Sequence, residues 1–184
     1  NWFTQFKYDG HRCLIYKKDG VVGAYSRNGK PITTIDHILA QVGENLKEGD
    51  TLDGELYIHG LSLQKIASLV KRKQEQSADL EYMLYDIMSK DSYGERLNYI
   101  EGYWTNYVVP TTYRGVYDKD ALDSARAAGY EGLIVRLDDR GYEDGKRSKS
   151  LIKIKKFEDD EFKVFGIHAS VDNWAILECR TSKG

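Results

Sequence analysis

The 184-residue chain has few of the residues that staple small proteins. It carries two cysteines, Cys13 and Cys179, with no Cys-x-x-Cys pair and no paired-histidine spacing. Two thiols make neither a zinc-finger array nor a disulfide framework. They read as free thiols of a reducing compartment, a single disulfide being the alternative. Proline is scarce, at 2 residues, and apolar runs last only a few positions. Collagenous, low-complexity and membrane-spanning helical classes are therefore set aside, and no membrane partner is expected. Neither sign of charge is in excess: 27 Lys+Arg stand against 29 Asp+Glu, a net charge of −2. That balance excludes a uniformly basic nucleic-acid binder but leaves room for a local basic groove. The N-terminus has no initiator Met, basic start or hydrophobic signal core, so the natural chain is expected to begin earlier.

What is present is a globular composition, 41% apolar and 30% charged, with 14 tyrosines. The length suits one domain, or one domain and a fragment of a second. A strand is predicted over residues 3–16, broken at Asp9-Gly10, and Asp19-Gly20 signals a two-residue hairpin before Val21–Tyr25. Ile35, Ile38, Leu39, Val42 and Leu46 have helical spacing, with Thr33 or Thr34 as cap and Gly49 beyond the end. Strand 51–58 precedes a helix over 62–73 capped by Ser62. Leu80–Met88 reads as a central strand, 95–104 as a short helix, and 118–128 as a helix between Asp118 and Gly129. Residues 132–137, 151–157, 161–168 and 174–180 read as strands. Without a regular βαβ alternation, the expected class is α+β, mostly antiparallel sheets flanked by helices. A basic stretch, 145–157, runs into Glu158-Asp159-Asp160-Glu161. This places a boundary between a 1–157 domain and a 158–184 segment too short for its own core, as if the chain were cut there.

The sharpest motif is Lys7-Tyr8-Asp9-Gly10-His11-Arg12. A lysine is nucleophilic only as the free amine, so burial or neighbouring cations must assist it. Five further motifs follow in order: Ser26-Arg27-Asn28-Gly29, Asp53-Gly54-Glu55, Tyr82-Met83-Leu84-Tyr85-Asp86, Glu131-Gly132-Leu133-Ile134-Val135-Arg136 and Leu151-Ile152-Lys153-Ile154-Lys155. Together they resemble the motif series of the covalent nucleotidyltransferases, and within these the ATP-dependent DNA ligases.

That resemblance implies a nucleotidyltransferase (ATP-grasp-like) adenylation domain, with residues 158–184 as the start of an OB-fold. It implies that Lys7 attacks the α-phosphorus of ATP and forms lysyl-AMP. AMP then passes to the 5′-phosphate of a nick in duplex DNA, and the 3′-hydroxyl displaces it. Lys153 and Lys155, two apart on a strand and so on one face, would converge on the phosphate and repel the charge on Lys7. Asp9 would orient Lys7 or the 3′-hydroxyl. Glu131 would hold Mg²⁺ or Mn²⁺, with Glu55 as a second metal contact and a ribose acceptor. Arg12 would touch the ribose, Gln5 the adenine amino group, and Tyr85 and Ile134 the two adenine faces. Phe6 is counted with the nucleotide-binding residues, and Arg27 and Arg147 with the approach to DNA. Strict alternation groups Glu131 with Leu133 and Val135 rather than with Ile134, unless the chain breaks at Gly132. Arg12 favours ATP over NAD, and Ile154 between the two lysines disfavours a capping guanylyltransferase. That enzyme, an RNA ligase and a non-catalytic binding relative are the alternatives. A monomer inside a bacterial or virus-infected cell, serving DNA repair, replication or recombination, completes the expectation.

Overall fold

The computed structural model of the chain describes residues 2–113, 119–146, 148–156, 161–171 and 174–180. A five-stranded sheet is built from β2 (His11–Lys18), β3 (Val21–Ser26), β4 (Thr51–Tyr57), β5 (Glu81–Ile87) and β6 (Val108–Pro110), in the order β3-β2-β4-β5-β6. A four-stranded sheet joins β1 (Trp2–Lys7), β7 (Thr112–Tyr113), β8 (Gly132–Leu137) and β9 (Leu151–Ile154), in the order β7-β1-β8-β9. A separate hairpin pairs β10 (Lys163–Ala169) with β11 (Ala175–Arg180). The described pairings are antiparallel except β5 with β6, as an α+β class requires.

Alternation divides the five-stranded sheet into two chemically distinct faces. Cys13, Ile15, Leu52, Leu56, Tyr82 and Leu84 are buried on one face. They share a core with Ile38 and Val42 of α1 (Asp36–Gly43) and with Ile66, Leu69 and Val70 of α2 (Leu63–Lys71). The opposite face carries Arg12, Asp53 and Glu55, so a polar cleft lies on the side away from α1 and α2. The Asp19-Gly20 hairpin forms with φ of 52° and 75°, the left-handed pair of a type I′ turn.

Several local expectations are corrected. Neither Thr33 nor Thr34 caps α1; the N-cap is Ile35, and the Thr34 hydroxyl donates instead to the Val70 carbonyl at 2.9 Å. A tertiary bond thus takes the group that local propensity assigned to the helix end. Beyond Gly43 the chain makes turn bonds from Asn45 and Leu46 to the Val42 carbonyl, so the helix is shorter than its apolar spacing. Ser62 does cap α2. The third helix, α3 (Tyr93–Ile100), starts earlier than expected because Ser92 and Glu95 form a capping box. Strand β5 is interior, but the middle position belongs to β4. The last helix, α4 (Lys119–Ala127), is followed by Gly129 at φ 87°; its expected cap, Asp118, lies outside the described residues, as do Phe157 and the acidic run at 158–160. No expectation covered β6 and β7, which are too short to show a period.

Strands β8 and β9 approach closely at Gly132, where a β-carbon would collide with the Ile154 carbonyl oxygen, a backbone atom fixed in the ladder. Gly132→Ala is therefore expected to lose about 1–3 kcal/mol of unfolding free energy. Gly102→Ala, which meets nothing within 4 Å, should be nearly neutral. Urea titrations of the two variants check this, and equal midpoints would contradict it.

Candidate active site

Register aligns the first group of candidate residues. Gln5 of β1 lies opposite Ile134 of β8, and Ile134 opposite Lys153 of β9, so the three share one face. Lys7 is two residues beyond Gln5 on that face, opposite Gly132. Glu131 precedes β8, and its backbone N–H donates to the Lys7 carbonyl at 3.1 Å. Because Glu131 lies outside the strand, the alternation that groups it with Leu133 does not bind it. Its carboxylate reaches Lys7 directly: Lys7 Nζ donates to Glu131 Oε2, and Lys155 Nζ lies 3.4 Å from Oε1. Partial burial pushes the Glu131 pKa up, but the bond and charge from Lys7, with help from Lys155, hold it below its ordinary value. Lys153 and Lys155 are both exposed.

The facing wall comes from β2, β4 and β5. Arg12 and Glu55 are directly opposite in the β2–β4 ladder. The Arg12 guanidinium is engaged by Asp53 in a fork, Nε to Oδ1 at 2.9 Å and Nη2 to Oδ2 at 2.8 Å. The Tyr142 hydroxyl sits 2.9 Å from Arg12 Nη2 and donates to Asp53 Oδ2 at 2.7 Å. Hydrogen bonding to Asp53 is the main reason the Arg12 pKa is raised. Arg12 is thus committed to a protein carboxylate, where a ribose contact was expected. Glu55 is pushed up to about 8, first by burial and then by the charge of Asp53; Lys7, Arg12 and a hydrogen bond with Tyr85 act in the opposite direction.

Between Asp53 and Gly54 the β4–β5 register shifts: Gly54 faces Leu84 and Asp53 faces Asp86, leaving Tyr85 unpaired in a bulge. Consecutive residues Tyr85 and Asp86 both meet the four-stranded sheet as a result. The Tyr85 ring lies 5.4 Å from the Arg136 guanidinium carbon, and Arg136 Nη1 bonds Asp86 Oδ2 at 2.5 Å. Arg96 of α3 adds a second arm to the same carboxylate, Nε to Oδ1 at 2.7 Å. Arg136 Nε donates to Gln5 Oε1 at 2.9 Å, and Gln5 Nε2 donates to the Tyr93 hydroxyl at 2.7 Å. Gln5 is only 1% exposed and its amide is held inside this network rather than presented to a base.

The structure therefore assembles Lys7, Glu131 and Lys155 into one ion-paired group. It aligns Gln5, Ile134 and Lys153 on the same face, with Glu55, Tyr85 and Arg12 opposite. Three candidates fall elsewhere. Phe6 points to the back of its sheet, as alternation requires, and stacks on Tyr130 with centroids 4.1 Å apart. Asp9 is exposed in the turn after β1, and the Lys7 ammonium is held by Glu131 instead. Arg27 is exposed in the turn after β3, and Arg147 lies outside the described residues. Sequence reasoning missed Arg96, Arg136, Tyr93 and Tyr142 as site-building groups. A signal existed for Arg136: a charged residue inside the apolar run Leu133–Leu137 needs a buried partner. Among the described residues no cluster of three or more His, Cys, Asp or Glu could form a metal cage by itself.

The chain superposes on the Chlorella virus DNA ligase-adenylate with a TM-score of 0.64 and 22% identity, covering 98% of this chain and 75% of that one. It superposes on the bacteriophage T7 ATP-dependent DNA ligase, in its complex with ATP, with a TM-score of 0.62 and 22% identity, covering 100% of this chain and 72% of that one. At that identity the likeness establishes the fold.

The family follows from sequence: residues 1–155 match the ATP dependent DNA ligase domain family, and the chain belongs to it. It is 29% identical over 175 residues to a DNA ligase of Methanospirillum hungatei, covering 83% of this chain. It is 26% identical over 178 residues to the multifunctional non-homologous end joining protein LigD of Mycobacterium bovis, covering 91% of this chain. The chain spans 31% and 23% of the lengths of those two relatives.

The Asp86 carboxylate, 2% exposed, is neutralised by two buried arginines. Asp86→Asn leaves both with too little charge to meet, and should destabilise the fold by about 3–5 kcal/mol; denaturant unfolding within 1 kcal/mol of the parent would contradict this. Glu55 yields a pH dependence. Its carboxyl holds a proton to about 8 when folded, against an ordinary 4.5. Between those values the folded chain binds more protons than the unfolded one, so this group's contribution to stability falls as pH rises and levels off above about 8. Glu55→Gln should therefore gain stability relative to the parent from about pH 5 to about pH 8. Unfolding curves that run parallel over that window would count against it.

Proposed function

We propose that this chain is the nucleotide-transfer unit of a DNA ligase, and that Lys7 is its nucleophile. The observation that carries the reading is the Lys7–Glu131–Lys155 group at the edge of a two-sheet cleft, with Lys153 on the same face as Lys7. The Lys7 amine attacks the α-phosphorus of ATP, a P–N bond forms, and the bond to the bridging oxygen breaks as pyrophosphate leaves. The Lys7 ammonium loses one proton to solvent to expose its lone pair and a second to solvent as the P–N bond forms, while the Glu131 carboxylate hydrogen-bonded to it orients the nitrogen for attack. Incoming phosphates offer Lys155 and Lys153 a new anion, so both cations stabilise charge where it builds during transfer.

A divalent cation, Mg²⁺ or Mn²⁺, fits Glu131 together with substrate phosphates and water, since Mg²⁺ sites commonly use one or two carboxylates and complete their coordination that way. Such an ion supplies charge neutralisation at the phosphoryl oxygens. Nicked duplex DNA is the proposed acceptor. AMP moves from Lys7 to the 5′-phosphate, and the aligned 3′-hydroxyl then displaces it. The names of the sequence relatives support DNA ligation over capping or RNA ligation. Residues 158–184 are read as opening an OB-fold, in keeping with the β10–β11 hairpin and its exposed Phe165, Ile167 and Trp174. The acting form is proposed to be an intracellular monomer.

Incubation with ATP and Mg²⁺, followed by denaturation and intact-mass measurement, should show one AMP adduct that Lys7→Ala lacks. Lys153→Ala should slow adduct formation by about 10²–10³-fold, the usual loss for one stabilising group at a charged transition state. ATP should outcompete GTP and NAD. A parent chain without adduct, or an equal adduct on Lys7→Ala, would overturn the assignment.

A further inference from the structure

Backbone pairing joins the two segments, since Lys7 faces Gly132 and the Glu131 N–H donates to the Lys7 carbonyl, but it does not orient the two side chains, because Lys7 ends β1 and Glu131 lies just outside β8. Behind the sheet, each is flanked by an aromatic residue. Phe6 and Tyr8 sit on either side of Lys7, and Tyr130 immediately precedes Glu131. The Phe6 and Tyr130 rings stack at 4.1 Å with planes 6° apart, and Tyr8 meets the same Tyr130 ring edge-on at 5.5 Å. His59 approaches Tyr130 at 5.1 Å, Tyr8 meets Tyr57 at 5.1 Å, and the Tyr57 hydroxyl is 2.9 Å from His59 Nδ1. One ring thus contacts both neighbours of the lysine and is covalently next to its carboxylate partner. The Tyr130 backbone is fixed as well, its N–H donating to the Ala125 carbonyl at 3.0 Å.

We infer that Tyr130 is a positioning residue, which sets the spacing of Lys7 and Glu131 through its stack on Phe6 and its edge contact with Tyr8. The inference deepens the proposed function, since the spacing matters most if Lys7 is the nucleophile. Its ring is the working part: flat stacking needs an aromatic surface, and a branched aliphatic of similar bulk cannot reproduce a 6° interplanar angle. Loss of the ring leaves the β1–β8 backbone pairing in place but loosens its last rung, and the lysine spends less time on its carboxylate.

The first test reads the pair without catalysis. Trace acetylation at about pH 8, with peptide mass analysis and Lys65 as internal reference, should show Lys7 labelling at least about threefold faster in Tyr130→Leu than in the parent, as the half-buried side chain leaves Glu131 and becomes accessible to the reagent. Tyr130→Phe should restore the parental labelling ratio. The second test is single-turnover adenylylation at saturating ATP. Tyr130→Leu should be slowed about 10–100-fold with little change in the ATP concentration giving half-maximal rate, as expected when reacting groups are misplaced but substrate binding is kept. Tyr130→Phe should return to the parental rate. Leu69→Ala, a fully buried change under the other sheet, serves as a destabilised control and should alter neither readout. Unchanged Lys7 labelling in Tyr130→Leu, or an equal change in Leu69→Ala, overturns the positioning role. A parent chain that forms no adduct overturns the proposed function, while the labelling result still decides the role of Tyr130.

Discussion

The contact on which the cleft depends is the buried carboxylate of Asp86. It belongs to the five-stranded sheet, yet its partners are Arg136 in the four-stranded sheet and Arg96 on α3. One acid therefore ties three elements that share no backbone hydrogen-bond ladder. Burying such a charge is costly unless every lone pair finds a donor. Here two guanidinium groups supply the donors, and the second oxygen is shared between them. Through Arg136 the same acid also fixes Gln5 and, beyond it, Tyr93, so the inner end of the cleft is one hydrogen-bonded unit.

The bulge at Tyr85 makes this unit possible and creates a second demand. By slipping the register it sets Asp86 opposite Asp53, two buried carboxylates side by side. Like charges in that relation repel, and each is met by its own arginine system: Arg12 for Asp53, Arg96 and Arg136 for Asp86. Glu55, next along β4 on the same face, has no such partner to itself, and burial together with Asp53 drives it toward its neutral form. This wall of the cleft thus sets three acids in close order, two of them paired with arginines and the third, Glu55, pushed by burial toward its neutral form.

Much of this was legible from sequence, for identifiable reasons. The Asp19-Gly20 hairpin and the 132–137 strand were predicted with nearly their observed bounds, because turn chemistry and an apolar run are local signals. Motif order placed Lys7 and Glu131 in one site, but their direct ion pair was not foreseen, since the resemblance gave Glu131 to a metal. What could not be read was tertiary in origin. Thr34 abandoned the cap for Val70, a partner 36 residues away. Phe6 was grouped with the nucleotide site because it adjoins Lys7, whereas a strand turns neighbours to opposite faces. The resemblance assigned Arg12 to a ribose, and nothing local indicated that Asp53, diagonal to it across β2 and β4 rather than opposite, would take its guanidinium. The bulge at Tyr85 was equally invisible, since one unpaired residue leaves no mark on apolar content.

The cations sort by burial into different tasks, and this changes the meaning of the near-neutral total charge. Arg96 and Arg136 are buried against protein carboxylates, and Arg12 is forked onto Asp53, so none of the three is spare charge for a polyanion. Lys153 on β9 and Lys155 just beyond its end are exposed, in a stretch whose other residues are apolar or basic. In the proposed reaction a phosphate approaching the cleft would meet those lysines first, because a solvated cation changes partner at little desolvation cost while a buried pair does not. The guanidinium groups build the cleft, the ammonium groups are left to act within it, and the difference follows from how each cation is hydrated and held rather than from its sign.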